Sequence, residues 1–163
     1  MSWLNTKQKW GYVTIVIHWL TAMTVVFLFS LGLWMVELTY YDSWYQSAPH
    51  IHKSIGLLLF FSTLLRLLWL NFNVKPVPLK NQSKIEHHLS KIVHWSLYGL
   101  LLSLMISGYL ISTADGRSIE VFNWFELPAV LSTIKGQEDI AGNIHYILAI
   151  TLIIVVVLHA CAA

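Results

Sequence analysis

Cysteine occurs once in the 163 residues, as Cys161, which excludes an internal disulfide framework and any cysteine-ligated cluster. Charge is scarce as well. Asp, Glu, Lys and Arg make up 11% of the chain against 56% hydrophobic residues, too little for an ordinary soluble domain. The formal net charge of +2 is too small to point to nucleic acid. Acids are essentially absent from the long apolar runs, and Met23, Met35 and Met105 are scattered. A zinc or copper path through a membrane would call for carboxylates, thiols or clustered methionines there. A cleavable leader is not expected, because the first apolar run is full-length and lacks an Ala-x-Ala-like exit.

What the chain does hold is apolar runs, eight tryptophans and eight histidines. Four runs, at about 13–36, 51–70, 92–112 and 140–163, are each long enough to cross a hydrocarbon core of ~30 Å. The sequence therefore predicts an all-α integral membrane four-helix bundle, with residues 1–163 as one domain surrounded by membrane lipid. Trp3, Trp10 and Tyr12 suit an interfacial lead-in, and Tyr40, Tyr41, Trp44 and Tyr45 suit a short loop at headgroup level. A polar piece with His87 and His88 reads as a short surface helix. The longest connection, 113–139, mixes acids with Phe122, Trp124 and Phe125 and reads as lying partly on the membrane surface.

Four spans put both termini on one side, and the cations show which. Lys7, Lys9, Arg66, Lys75, Lys80, Lys84 and Lys91 fall with the N-terminus and the 71–91 connection, and only Lys53, Arg117 and Lys135 fall opposite. Of the eight acids only Glu86 shares the Lys-rich side. The positive-inside bias then predicts both termini in the cytoplasm and two loops outside. The chain stops at Ala163 inside the helical pattern and without a basic flank, so the natural protein is expected to continue a little further.

Orientation gives each histidine a depth. His18 begins span one and His159 ends span four, both at the inner side; His52 begins span two and His145 begins span four, both at the outer side. His145 and His159 are fourteen residues apart on one helical stripe, about 21 Å of rise. A histidine inside a membrane bundle often serves only to hydrogen-bond a neighbouring helix. Four that pair by depth fit better with two bis-histidine haems, each iron taking two axial imidazoles from different helices. Gly56 and Ala149, four residues after His52 and His145, and Gly142, three before His145, offer small neighbours for a flat ring, or simply close helix contacts. His94, at the depth of His18 and His159, is a rival axial ligand or a propionate or quinone contact, with the latter roles favoured. Arg66 at the same side is a candidate propionate or quinone contact that also suits snorkelling to the headgroups. His50 is set as a rival to His52 if the helix start frays. Trp19 and Trp95, beside His18 and His94, are the tryptophans expected to touch a cofactor, and Cys161 reads as filler.

Read in order, Ile17-His18-Trp19-Leu20, His52-Lys53-Ser54-Ile55-Gly56 with Arg66, Val93-His94-Trp95-Ser96-Leu97-Tyr98, the loop Gly116-Arg117-Ser118 with Phe122-Asn123-Trp124-Phe125-Glu126-Leu127-Pro128, and the His145/His159 pair resemble the bacterial cytochrome b-561 family over essentially the whole chain. The resemblance implies an inner-membrane protein with two haem b groups, one held by His18 and His159 on the cytoplasmic side and one by His52 and His145 on the periplasmic side. One family member of this size acts as a superoxide oxidase that reduces ubiquinone, and related subunits anchor hydrogenases and other dehydrogenases to the quinone pool. For superoxide, Lys53, Arg117 and Lys135 are the candidate cations, provided they cluster while the seven acids on their side face elsewhere. For a redox partner protein, those same acids would form the docking surface.

Overall fold

A computed structural model describes residues 2–78 and 83–162. Lys80 and Ala163, which enter the expectations on orientation and on the chain's end, lie outside them. Four helices run antiparallel in sequence order: α1 (Tyr12–Met35), α2 (Ser47–Phe72), α3 (Lys84–Ser112) and α4 (Gln137–Ala162). All four are long and apolar enough to cross a membrane. Large side chains such as Met23, Leu65 and Ile147 stay more than 60% exposed along them, as expected where lipid rather than protein is the neighbour.

The helix starts differ from the sequence reading where capping overrides hydropathy. The polar piece with His87 and His88 is not a separate surface helix. Ser83 accepts from the Glu86 N–H at 3.2 Å and the Glu86 carboxylate accepts from the Ser83 N–H at 2.8 Å, a capping box that starts α3 eight residues before the expected span. Nothing after it breaks the helix, so α3 runs on continuously into the apolar stretch. α2 begins four residues early because Pro49 falls in its first turn, where the missing N–H costs no helical bond.

The 113–139 connection carries a feature that hydropathy did not reveal, an antiparallel hairpin of β1 (Ile119–Val121) and β2 (Phe125–Leu127). Phe122 and Asn123 turn it with positive φ values of 46° and 58°. In β1, Ile119 and Val121 point inward onto Leu57 and Tyr109, while Glu120 between them is exposed, the two-residue alternation of a strand on a core. The buried Ser54 hydroxyl in α2 donates to the Glu120 carbonyl at 3.4 Å and accepts from the Phe122 N–H at 3.3 Å. Tyr109 in α3 fastens the far side, donating to the Pro128 carbonyl at 2.6 Å and accepting from the Val130 N–H at 2.9 Å. The hairpin thus closes one end of the bundle.

The opposite end holds both termini. There the Asn5 side-chain carbonyl accepts from the Gly11 N–H at 2.9 Å and the Thr14 hydroxyl at 2.7 Å, and Trp69 of α2 donates to Thr14 at 3.0 Å. Gly11 is required by this contact, since a Cβ would lie 2.4 Å from the backbone of Leu4. Between the two ends, each helix gives one buried leucine to a central layer: Leu28, Leu59, Leu101 and Leu152. This apolar layer is the main core of the bundle.

Candidate functional site

The leucine layer separates two histidine clusters. On α4, Leu152 lies seven residues from His145 and seven from His159, so the two imidazoles stand on opposite sides of the layer. At the hairpin end, the rings of His52 and His145 meet edge-on with centroids 6.4 Å apart and planes at 69°. At the termini end, His18 and His159 do the same, also at 6.4 Å, with planes at 84°. Both pairings join α4 to a helix that is not its sequence neighbour.

The common separation can be tested against a metal. An iron bound at about 2 Å by each of two imidazoles on its opposite sides sets the ring centroids roughly 6 Å apart. Both pairs meet that spacing. His94 lies nearer to His159, at 5.0 Å, which is short for an iron between the two rings. Its Nδ1–H donates to the Ser90 carbonyl one turn back in α3, at 2.6 Å.

The hairpin-end pair opens on a cavity of about 860 Å³ lined by all four helices, with the leucines of the central layer among its lining. Gly56, Gly142 and Ala149 are part of its lining, and a Cβ added at Gly56 or Gly142 would meet nothing within 4 Å. These positions therefore border open space rather than a tight helix contact. Two other glycines have the opposite role. A Cβ at Gly32 in α1 would lie 3.2 Å from the His52 ring, and one at Gly108 in α3 would lie 3.0 Å from the His145 ring. Each ring lies against bare backbone, which is how a bulky imidazole fits between helices.

Hydrogen bonds orient the ring on α4. His145 Nδ1 is 3.0 Å from the Leu104 carbonyl, which can only accept, so Nδ1 carries the proton and Nε2 keeps the lone pair. Ser107 Oγ lies 3.1 Å from the same nitrogen and donates to Leu104 O at 2.8 Å. His52 Nδ1 is buried with no hydrogen-bond partner among the described residues. A buried ring nitrogen left this way is uncommon unless a bound group completes the site. Spacing, cavity, glycine clearance and this unpaired nitrogen together fit a flat, iron-bearing ring.

At the termini end the chief neighbour is a cation. Arg66 donates to His18 Nδ1 at 3.2 Å and lies over the Tyr98 ring, 5.6 Å from its centroid. His50, set as a rival to His52, turns instead onto Phe122 of the hairpin, ring centroids 6.1 Å apart. Trp19 and Trp95 are 59% and 70% exposed, so they face outward from the bundle. The exposed Cys161 has no part in either cluster.

The three candidate cations do not gather. Lys53 and Arg117 lie in the lining of the cavity, where Asp115, Glu138 and Asp139 accompany them, and Lys135 is outside it. Arg117 forms an ion pair with Asp115 and also donates its backbone N–H to that carboxylate at 3.0 Å. The hydrogen bond from the Arg117 side chain holds the Asp115 carboxyl below the usual carboxylate range, and the same bond raises the Arg117 guanidinium. The condition set for anion capture, cations together and acids elsewhere, is not met: Lys135 is outside the cavity and three acids share its lining with Lys53, which has no ion-pair partner among the described residues.

Four apolar spans around an apolar core, with cross-helix imidazole pairs on both sides of it, define a membrane cytochrome of the haem-in-bundle class, built for electron transfer. The chain belongs to the prokaryotic cytochrome b561 family, whose profile matches residues 9–163. Cytochrome b561 homolog 2 of Escherichia coli (strain K12) is similar to it, 45% identical over 159 residues that span 98% of this chain and 85% of that one. Membership makes it a multi-pass inner-membrane protein that binds b-type haem.

Several residues of the site escaped the sequence reading. Ser107, Gly32 and Gly108 are small residues in apolar runs, a weak signal shared with ordinary helix packing. Tyr98 was visible only as part of a motif, and the Leu104 contribution is a backbone carbonyl.

Proposed function

We propose that the protein is a superoxide:ubiquinone oxidoreductase with two haem b groups. His52 and His145 hold one near the periplasmic face, and His18 and His159 hold the other near the cytoplasmic face, with both termini in the cytoplasm. Haem b supplies reversible one-electron chemistry. The observation that carries the two-haem part of this reading is the pair of equal 6.4 Å imidazole spacings on either side of the leucine layer. The superoxide and ubiquinone part rests on the family resemblance and on Lys53 in the cavity lining. The overall balance is two superoxide ions oxidised to two O₂, and one ubiquinone taking the two electrons with two protons to give ubiquinol. The residues bind and orient the redox groups and exclude water from the path between them. Lys53 offers a positive charge at the mouth of the hairpin-end cavity, and Arg117 adds to it only when released from Asp115. Arg66 and His94 serve the termini-end group as propionate or quinone contacts.

The acids at the same mouth favour a second reading. Asp115, Glu138 and Asp139 beside the cavity would receive a basic redox protein, and the chain would then be an electron-transfer subunit linking a dehydrogenase or hydrogenase to quinone. Purified protein distinguishes the two. Haem reduction by superoxide alone, at a rate near the diffusion limit, supports the first; inertness to superoxide, with reduction only by a partner, replaces it with the second.

A further inference from the structure

The two histidine pairs differ in the groups that surround them. At the hairpin end, the His145 Nδ1–H meets two acceptors, the Leu104 carbonyl and the Ser107 hydroxyl, and Ser107 is only 4% exposed. An imidazole that donates its far proton to good acceptors becomes a more electron-rich ligand, which stabilises the oxidised, more positive state of a metal at Nε2. At the termini end the nearest polar neighbour of His18 is the Arg66 guanidinium. Arg66 Nε is buried without a partner, and among the described residues no carboxylate comes within ion-pair distance of this side chain. An uncompensated positive charge in a low-dielectric site favours the reduced, less positive state of a neighbouring redox group.

We infer that Ser107 and Arg66 set the two redox centres apart in potential, Ser107 keeping the hairpin-end centre low and Arg66 keeping the termini-end centre high, so that electrons run from the hairpin end to the termini end. The inference rests on the proposed two-haem reading. Ligation through His18 Nε2 places the proton on Nδ1 and turns the Arg66 nitrogen away from it. The guanidinium still lies on the Tyr98 face, so its charge stays in the site. If a propionate pairs with it, removal of Arg66 leaves that negative charge uncompensated. The potential therefore falls on neutralising Arg66 in either arrangement.

Redox titration of the purified holoprotein, followed in the haem absorption bands, tests this. His52→Ala identifies which wave belongs to the hairpin end. Arg66→Gln should lower only the termini-end wave, by about tenfold in the reduced-to-oxidised ratio or about 59 mV for one electron, and Arg66→Lys should restore most of it. Ser107→Ala should raise only the hairpin-end wave, and this small change at a separate site tests the idea even if Arg66→Gln does not accumulate. Equal shifts of both waves, shifts of the opposite sign, or a higher potential at the hairpin end in the unaltered protein would overturn the inference while leaving two haems in place. A count of one haem per chain would instead sink the two-haem reading, and this inference with it.

Discussion

His145 of α4 lies against Gly108 of α3 so closely that a Cβ on that glycine would be 3.0 Å from the imidazole Cε1. The contact is to bare backbone, and the same is true of His52 against Gly32, at 3.2 Å. Gly108→Ala should push the His145 ring off its Leu104 and Ser107 acceptors, at a cost of about 1–3 kcal/mol as overpacking. We expect loss of the hairpin-end haem with the other retained. A pyridine haemochrome assay that still gives two haems per chain would show that the ring has room to move.

Separation of the two pairs by the leucine layer predicts independent loading. His52→Ala or His145→Ala should remove one b-haem and leave the other, and His18→Ala or His159→Ala the reverse. His94→Ala should keep both haems while slowing quinone reduction, because its 5.0 Å approach to His159 is short for shared iron ligation. Reduced-minus-oxidised spectra of each variant check this, and loss of a haem in His94→Ala would make that residue a ligand.

Leu152 is 3% exposed and stands midway between the two α4 histidines. Leu152→Ala should destabilise the bundle by about 2–5 kcal/mol through the cavity it leaves. Both haems should remain. Thermal unfolding of the detergent-solubilised protein gives the stability change, and an unchanged midpoint would mean that the layer repacks.

Tyr109 fastens the hairpin through two hydrogen bonds made by one hydroxyl. Tyr109→Phe should cost about 1 kcal/mol for each bond lost and loosen residues 119–131 locally. Hydrogen exchange should rise there and stay unchanged in α4. A uniform rise over all helices would argue instead for a global loss of stability.

Asp115 neutralises Arg117 at the cavity mouth, and its carboxyl is held below the ordinary value of about 4 by the Arg117 hydrogen bond. A depressed carboxylate keeps its partner paired at all higher pH and releases it only as pH falls through the lowered value. Superoxide reactivity should therefore show no contribution from this pair near neutral pH. Asp115→Asn frees the guanidinium and should speed reduction by superoxide several-fold at low ionic strength, with the gain fading as salt is added. Stopped-flow rates that do not change would remove Arg117 from the approach path.

Hydropathy made the four spans legible, because a bilayer requires long apolar runs and little else of each helix. The termini of those helices were less clear. The α3 start depends on the Ser83/Glu86 capping box, and the hairpin at 119–127 depends on Ser54 and Tyr109, which are distant in sequence. Short strands with two positive-φ residues leave almost no periodic signal, and Phe122 is an unexpected residue for such a turn.

The sequence by itself determined the membrane class, the number of spans and the place of each histidine along its helix, since these follow from length, composition and rise per residue. It also suggested which histidines share a level. Only the tertiary structure decided that both pairs stand at the same 6.4 Å, that His50 turns away to Phe122, and that Arg66 reaches His18 while Arg117 pairs with Asp115. The reason is physical: depth is a property of one helix, whereas ring separation, glycine clearance and charge pairing arise only when helices pack side by side.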